Sequence, residues 1–272
     1  MLDPRVMSKT FKLTLDILIG AAVPIVILKY GTAPLGVLPA YLLAGLIPVA
    51  WVLLDLFVFT RRFNFISAYG GWSAVMRGVL AFWFVDGVAF AFKDSASYLF
   101  AVIIFGGSLF LSAPITRAIA LQGLAPDTPQ RRAWTDRLLN EPRVKRALWK
   151  SAAIIGGTNL VFGVANFFIN WALVRETFGT AAFNVQVANV NAITRVALVL
   201  PDMIALFWAF RLMYKAIYAE LPAAEQVDHR RGDFWVLVQR REDALAIGKT
   251  GEDIVDEALV RRSSARPALG TA

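Results

Sequence analysis

Long apolar runs separated by short polar connections fill the chain to about residue 218, after which the pattern turns mostly polar. A run of roughly 20 apolar residues matches the ~30 Å hydrocarbon core of a bilayer. Six stretches approach or exceed that length: 12–30, 36–59, 66–92, 96–119, 151–173 and 187–211. They predict an all-α, polytopic membrane protein, with a six-helix transmembrane bundle over 1–218 and a polar cytoplasmic tail over 219–272. Pro24, Pro39, Pro48, Pro114 and Pro201 fall inside the runs. Each removes a backbone donor and predicts a kink, which neighbouring helices in a bundle tolerate. The first run follows a basic start, as in a signal peptide. No small-x-small cleavage pattern closes it, so it reads as an uncleaved first span.

Charge orients these runs. Of the 28 Lys and Arg residues, 23 fall in the N-terminal segment, the second and fourth connections and the tail. The other three connections hold one each, Lys29, Lys93 and Arg175, while Arg77 and Arg195 lie inside spans. By the positive-inside rule both termini are cytoplasmic. The same rule accounts for the net charge of +8, because the basic residues are dispersed over connections; nucleic acid is not an expected partner. Overall, 57 % of residues are hydrophobic and mean hydropathy is +0.57, above the range of soluble domains. There is no cysteine, and the single histidine, His229, lies in the tail. Disulfides, thiolate metal sites, intramembrane haem ligation by histidine and a Ser-His pair within the spans are excluded.

The long connection 122–150 carries its own pattern. Thr128 is placed to cap a helix with Pro129 at its first position, and Trp134 and Leu138 share a face. Arg131, Arg132, Arg137 and Lys145 suit anionic lipid headgroups, so the segment reads either as an interfacial helix or as a solvated basic loop. In the tail, "TGEDIVDEALVRR" predicts a short capped amphipathic helix from Thr250 to Arg262. Its stripe of Ile254, Val255, Ala258 and Leu259 needs a surface to bury against: the loops, another copy of the chain or a protein partner.

The segments "LDILIGAAVPIVIL", "LGVLPAYLLAGLIPVAWVLLDL" followed by Arg61 and Arg62, and "FKDSASYLFAVIIFGGSLFLSAPITR" resemble a widespread family of uncharacterised bacterial inner-membrane proteins. The resemblance covers roughly residues 10–218. It implies a six-helix bundle in the bacterial inner membrane and no particular activity.

Within the spans, ionisable side chains are the main candidates for chemistry. Each costs about 2.5–3.5 kcal/mol at a helix centre on the insertion scale. Arg195 and Asp202 therefore offset much of the gain from the eleven Leu, Ile, Val and Phe residues between 187 and 210. Asn184, Asn191, Arg195 and Asp202, spaced 7, 4 and 7, form one polar stripe on a regular helix. Asn159, Gly163, Asn166 and Asn170 form a second on the preceding span. Arg77 and Asp86 lie in the third. Two crossed pairs, Arg77–Asp202 and Asp86–Arg195, would account for all four charges, provided the third helix bends near Gly78 and Gly87 or lies at the centre of the bundle. Failing that, Arg77 would pair with Asp55 or Asp16. "RGVLAFWFVDGVAFAF" also echoes "RVALVLPDMIALFWAF", as a three-plus-three inverted repeat would.

Two readings remain open at this point. The polar groups register and glue helices, or they line a hydrated site for a small polar solute, ion or proton. The double glycines at 70–71, 106–107 and 156–157 suit close helix packing. No metal motif, phosphate-binding glycine loop, nucleophile elbow or intramembrane aspartyl-protease pattern occurs, so neither an enzyme nor a cofactor is expected. The functional expectation is an intramembrane polar site. Its alternative is a non-catalytic scaffold or accessory subunit that docks partners through the loop and tail.

Overall fold

A computed structural model describes residues 14–16, 18–60, 65–222 and 234–248. These are almost entirely helical, and no strand occurs among them. In chain order the helices are α1 (Thr14–Leu35), α2 (Val37–Val58), α3 (Phe65–Ala81), α4 (Gly87–Phe110), α5 (Ile115–Leu124), α6 (Pro129–Asn140), α7 (Pro142–Leu173), α8 (Ala181–Ala219) and α9 (Phe234–Ala246). Among the described residues five of them, α1, α2, α4, α7 and α8, are long and apolar enough to cross a membrane. Their outward surfaces agree. Met203, Ile204, Phe207 and Trp208 on α8 are each about 60 % exposed, which suits hydrocarbon rather than water.

The expected third and fourth spans, 66–92 and 96–119, are divided differently. α3 stops at Ala81, residues 82–86 are non-helical, and α4 starts at Gly87. Asp86 takes an extended conformation and Gly87 a positive φ of 55°. A second break at 111–114 separates α4 from α5, where Pro114 supplies the extended residue before Ile115. Lys93, expected in an exposed connection, is therefore inside α4, and the helix echo between α3 and α8 is lost at Ala81.

The chain forms two compact units. The first comprises residues 1–110 and 153–206. α1 and α2 form a hairpin joined by the single residue Gly36, whose φ of 88° reverses the chain at no steric cost. Asn184 at the start of α8 locks that tip, its Nδ2 donating to Thr32 Oγ1 (3.0 Å) and to Val37 O (2.9 Å). Small residues bring helices together. A Cβ on Gly156 of α7 would lie 3.0 Å from the Gly106 backbone nitrogen of α4, so two of the double glycines meet here. Among the described residues of this unit there are five π-helical turns: Leu18–Ala22, Ile27–Gly31, Asp55–Thr60, Val102–Gly106 and Arg195–Val199. The last precedes Pro201, whose missing N–H leaves the Ala197 carbonyl without its helical donor.

The second unit, 111–152 with 207–272, is built around Leu138, Leu139, Val144, Leu148, Met213, Ile217, Leu237 and Val238. Thr128 caps α6 as expected, its side chain accepting from Arg131 N at 3.1 Å with Pro129 at the first position. The apolar face of α6 is occupied by protein, for Leu138 is fully buried and Trp134 packs on the same core. Part of that cover is α9, in a tail expected to be polar there. "FWVLVQRREDALA" places Leu237, Val238 and Arg241 on one buried face. The helix expected over 250–262 lies outside the described residues.

Candidate intramembrane polar site

A cavity of about 560 Å³ lies inside the first unit. α1 and α2 contribute Asp16, Tyr41, Trp51 and Asp55 to its wall, and α3 contributes Arg77. α4 contributes Lys93, Asp94, Ser97 and Tyr98, α7 contributes Asn166, and α8 contributes Asn191, Thr194 and Arg195.

α4 supplies the largest polar share because Lys93, Asp94, Ser97 and Tyr98 follow a one-turn repeat along one side of the helix. Lys93 is buried, at 8 % exposure. Its Nζ donates to Tyr41 Oη and to the Trp83 carbonyl, both at 2.6 Å, and lies 5.0 Å from the Tyr41 ring centre. The Trp83 carbonyl is free because the helix ends at Ala81, so the lysine satisfies an acceptor that the break creates. Next to it, Asp94 Oδ2 accepts from Asn166 Nδ2 (3.0 Å) and Asn170 Nδ2 (2.9 Å). Asn166 also donates to Ser95 Oγ at 3.0 Å. The asparagine stripe on α7 thus serves a carboxylate on α4, not the charges of α8.

Neither crossed pair forms among the described residues. Asp86 lies at the helix break and accepts from Phe178 N at 3.0 Å, since the chain between it and Arg77 is not one continuous helix. Arg77 reaches back one turn, to Ser73 O (3.4 Å) and Ser73 Oγ (3.3 Å). Its fallback partners do not reach it either, as Asp16 accepts from Trp51 Nε1 at 2.8 Å and Asp55 makes no ion pair with Arg77. Arg195 faces the cavity with its Nε buried and without a hydrogen-bond partner. It lies within electrostatic reach of Arg77, Asp94 and Tyr98.

Asp202 is half-buried and is not part of the cavity wall. The π turn at Arg195–Val199 inserts a residue and rotates the remainder of α8 by roughly 100°, which takes Asp202 off the face of Arg195. Asn159 donates to Ile155 O of its own helix at 2.9 Å and stays out of the wall, whereas Asn191 lines it.

One end of the unit is closed by aromatic rings. Phe178, in the 174–180 connection, stacks on Phe84 at 5.1 Å and meets Tyr41 and Phe183 edge-on at 5.2 and 5.4 Å. Phe90 meets Phe183 at 5.2 Å, completing the cluster beside Lys93.

The expected headgroup residues divide. Arg131 pairs with Asp127 at 2.8 Å and lies over the Trp235 ring at 5.0 Å, and Arg137 pairs with Glu242. These two are engaged by protein, while Arg132 and Lys145 are exposed. Among the described residues no group of three or more His, Cys, Asp or Glu side chains could hold a metal ion. Lys93 and Asp94 fall between the expected spans 66–92 and 96–119, where a charge reads as part of a connection. The signal was present in "KDSASY", where polar residues recur at one-turn spacing on both sides of the later span's start. Compared with known proteins, the chain matches no family model, no curated protein and no solved structure.

Proposed function

We propose that this chain is a membrane protein of the bacterial inner membrane whose first unit binds, or passes, a small polar solute, ion or proton. The observation that carries this reading is the cavity itself: about 560 Å³, within apolar helices, walled by Arg77, Lys93, Asp94, Asn191 and Arg195. Its volume falls in the range of small-molecule sites. Ionisable groups at that position are costly unless water, a partner or a ligand solvates them. α3, of 17 residues and about 25 Å, serves as the sixth crossing, which puts both termini and the basic connections in the cytoplasm.

The scaffold alternative is less favoured by the second unit. There Trp134 and Leu138 of α6 and Leu237 and Val238 of α9 pack into one core, so most of both apolar faces is already covered.

The test is thermal unfolding of the purified protein in detergent against a panel of small anions, cations and neutral polar solutes. At least one class should raise the melting temperature saturably, as a ligand of the native state does. If no class shifts it, the solute-binding reading fails.

A further inference from the structure

We infer that the ligand of this cavity is a small oxyanion, a carboxylate or phosphate, seated between Arg77 and Arg195. The inference rests on the solute-binding reading and narrows it to one chemical class.

The wall contains three cations and three carboxylates, but they are not equivalently engaged. Lys93 is held by Tyr41 and the Trp83 carbonyl, with Asp94 as its sequence neighbour and within electrostatic reach. Asp94 has its Oδ2 taken by two asparagine amides, and Asp16 has Oδ1 taken by the Trp51 indole. Each of those groups is thus held by hydrogen bonds within the protein, and Asp55, the third carboxylate of the wall, makes no ion pair with Arg77 or Arg195. The two arginines are held less firmly. Arg77 makes only long contacts of 3.3 and 3.4 Å within its own helix turn. The Arg195 side chain makes no hydrogen bond or ion pair to any described residue, and its Nε is buried without an acceptor. The two guanidiniums are also within electrostatic reach of each other, so each raises the cost of the other's charge.

Two like charges facing one cavity, neither of them ion-paired, are stabilised by an anion placed between them. Guanidinium geometry suits one class of anion. Each group presents five donors in a planar fork that matches carboxylate and phosphate oxygens two at a time. The neighbouring Asn191, on the same helix wall, supplies a neutral amide for the rest of such a ligand. A cation at the same place would instead face both arginines.

The experiment is isothermal calorimetry on the full chain in phosphatidylcholine nanodiscs, with inorganic phosphate, succinate, tetramethylammonium and glycerol as probes. The expected result is saturable binding of phosphate or succinate, none of tetramethylammonium or glycerol, and at least tenfold weaker anion binding in Arg77→Gln and in Arg195→Gln. Arg195→Lys, which keeps the charge but loses the fork, should fall between. Repeating the titration in nanodiscs containing phosphatidylglycerol separates the two sources of such an oxyanion. Lost phosphate binding there supports the site and assigns it to a lipid headgroup, and unchanged binding supports a soluble anion. Should the variants not fold, phenylglyoxal labelling of the wild type replaces them: phosphate should protect Arg77 and Arg195, and tetramethylammonium should not.

Anion binding that is unchanged in both glutamine variants, or labelling of both arginines that phosphate leaves unprotected, overturns the inference. Binding of tetramethylammonium or glycerol alone overturns it too but leaves the solute-binding reading standing. Silence from all four probes, with no melting shift in the wider panel, removes both.

Discussion

Two arginines, one in each unit, show opposite ways of placing a charge among apolar helices. Arg241, in the second unit, is 1 % exposed, with Nη2 on Glu141 and Nη1 3.1 Å from Glu242. Glu242 is held in turn by Arg137, so charge and countercharge close into a network beside the Leu138 and Val238 core. Arg195, in the first unit, faces a cavity and its side chain has no hydrogen bond or ion pair among the described residues; the Nε of both arginines is buried without an acceptor. The first arrangement completes a fold; the second leaves capacity for something the fold does not contain. The backbone differs in the same sense. The described helices of the second unit are regular, whereas the first unit holds five π turns, and the one at Arg195 aims a cation at the cavity.

Replacing Arg241 should have the largest effect. Arg241→Ala takes the countercharge from the part-exposed Glu141 and leaves Glu242 with Arg137 alone, and up to about 3–5 kcal/mol of stability should be lost, read by denaturant unfolding in detergent. Arg195→Gln should move the same measurement by less than about 1 kcal/mol, because no pair is broken. If the two substitutions cost alike, the distinction between the arginines is wrong.

Asp94→Ala should come next. It removes one of the two acceptors of each Nδ2 group of Asn166 and Asn170, at about 1–3 kcal/mol for buried donor capacity left unused, and Asp94→Asn should recover part of that. Thermal unfolding of both variants checks the order. Thr128→Ala removes the cap of α6 and should cost about 1 kcal/mol. Its effect on hydrogen exchange should be confined to α6 and the helices packed on it.

The smallest effect concerns Glu220, just past the end of α8. Burial, and to a lesser extent the Glu141 carboxylate, raises its pKa, against opposition from Arg143 and Arg241. A carboxyl whose folded pKa is raised binds more protons folded than unfolded. Its contribution is therefore present at acid pH and declines as pH rises from the ordinary carboxylate range through the folded value. Glu220→Gln should flatten that part of the melting-temperature profile against pH. A profile that the substitution leaves unchanged would remove Glu220 from the pH response.

The sequence made the helical, membrane-spanning character legible because hydrocarbon thickness sets run length directly. The cap at Thr128 was legible for a similar reason, being a local rule. What failed were inferences that required a regular helix. The Asn184–Asn191–Arg195–Asp202 stripe assumed 100° per residue, and the π turn before Pro201 breaks that count. The pairing of Asp86 with Arg195 assumed that 66–92 was one helix, yet the chain opens at 82–86, where no proline or polar cluster marks the break. Lys93 and Asp94 escaped notice for the complementary reason, since a charge beside an expected boundary reads as interfacial. α9 was hidden because "FWVLVQRREDALA" is short and charged at one end, and only the packed loop gives its apolar face a place to go. The two candidate roles of the intramembrane polar groups turn out to be shared out. Asn166, Asn170 and Asn184 join helices, while Arg77, Asn191 and Arg195 face the cavity.

The most direct test of the cavity uses the absence of cysteine from the chain. A single cysteine placed at Asn191 or Ser97, in native membranes, meets a small membrane-impermeant thiol reagent only if water reaches it, because the thiolate is the reacting form. Ile204→Cys, on the exposed apolar face of α8, serves as the lipid-facing reference. The account predicts that Asn191→Cys and Ser97→Cys label at least tenfold faster than Ile204→Cys, and that phosphate slows the Asn191→Cys reaction. Labelling of all three at the slow rate of Ile204→Cys would mean that the polar wall is sealed between helices, and would contradict it.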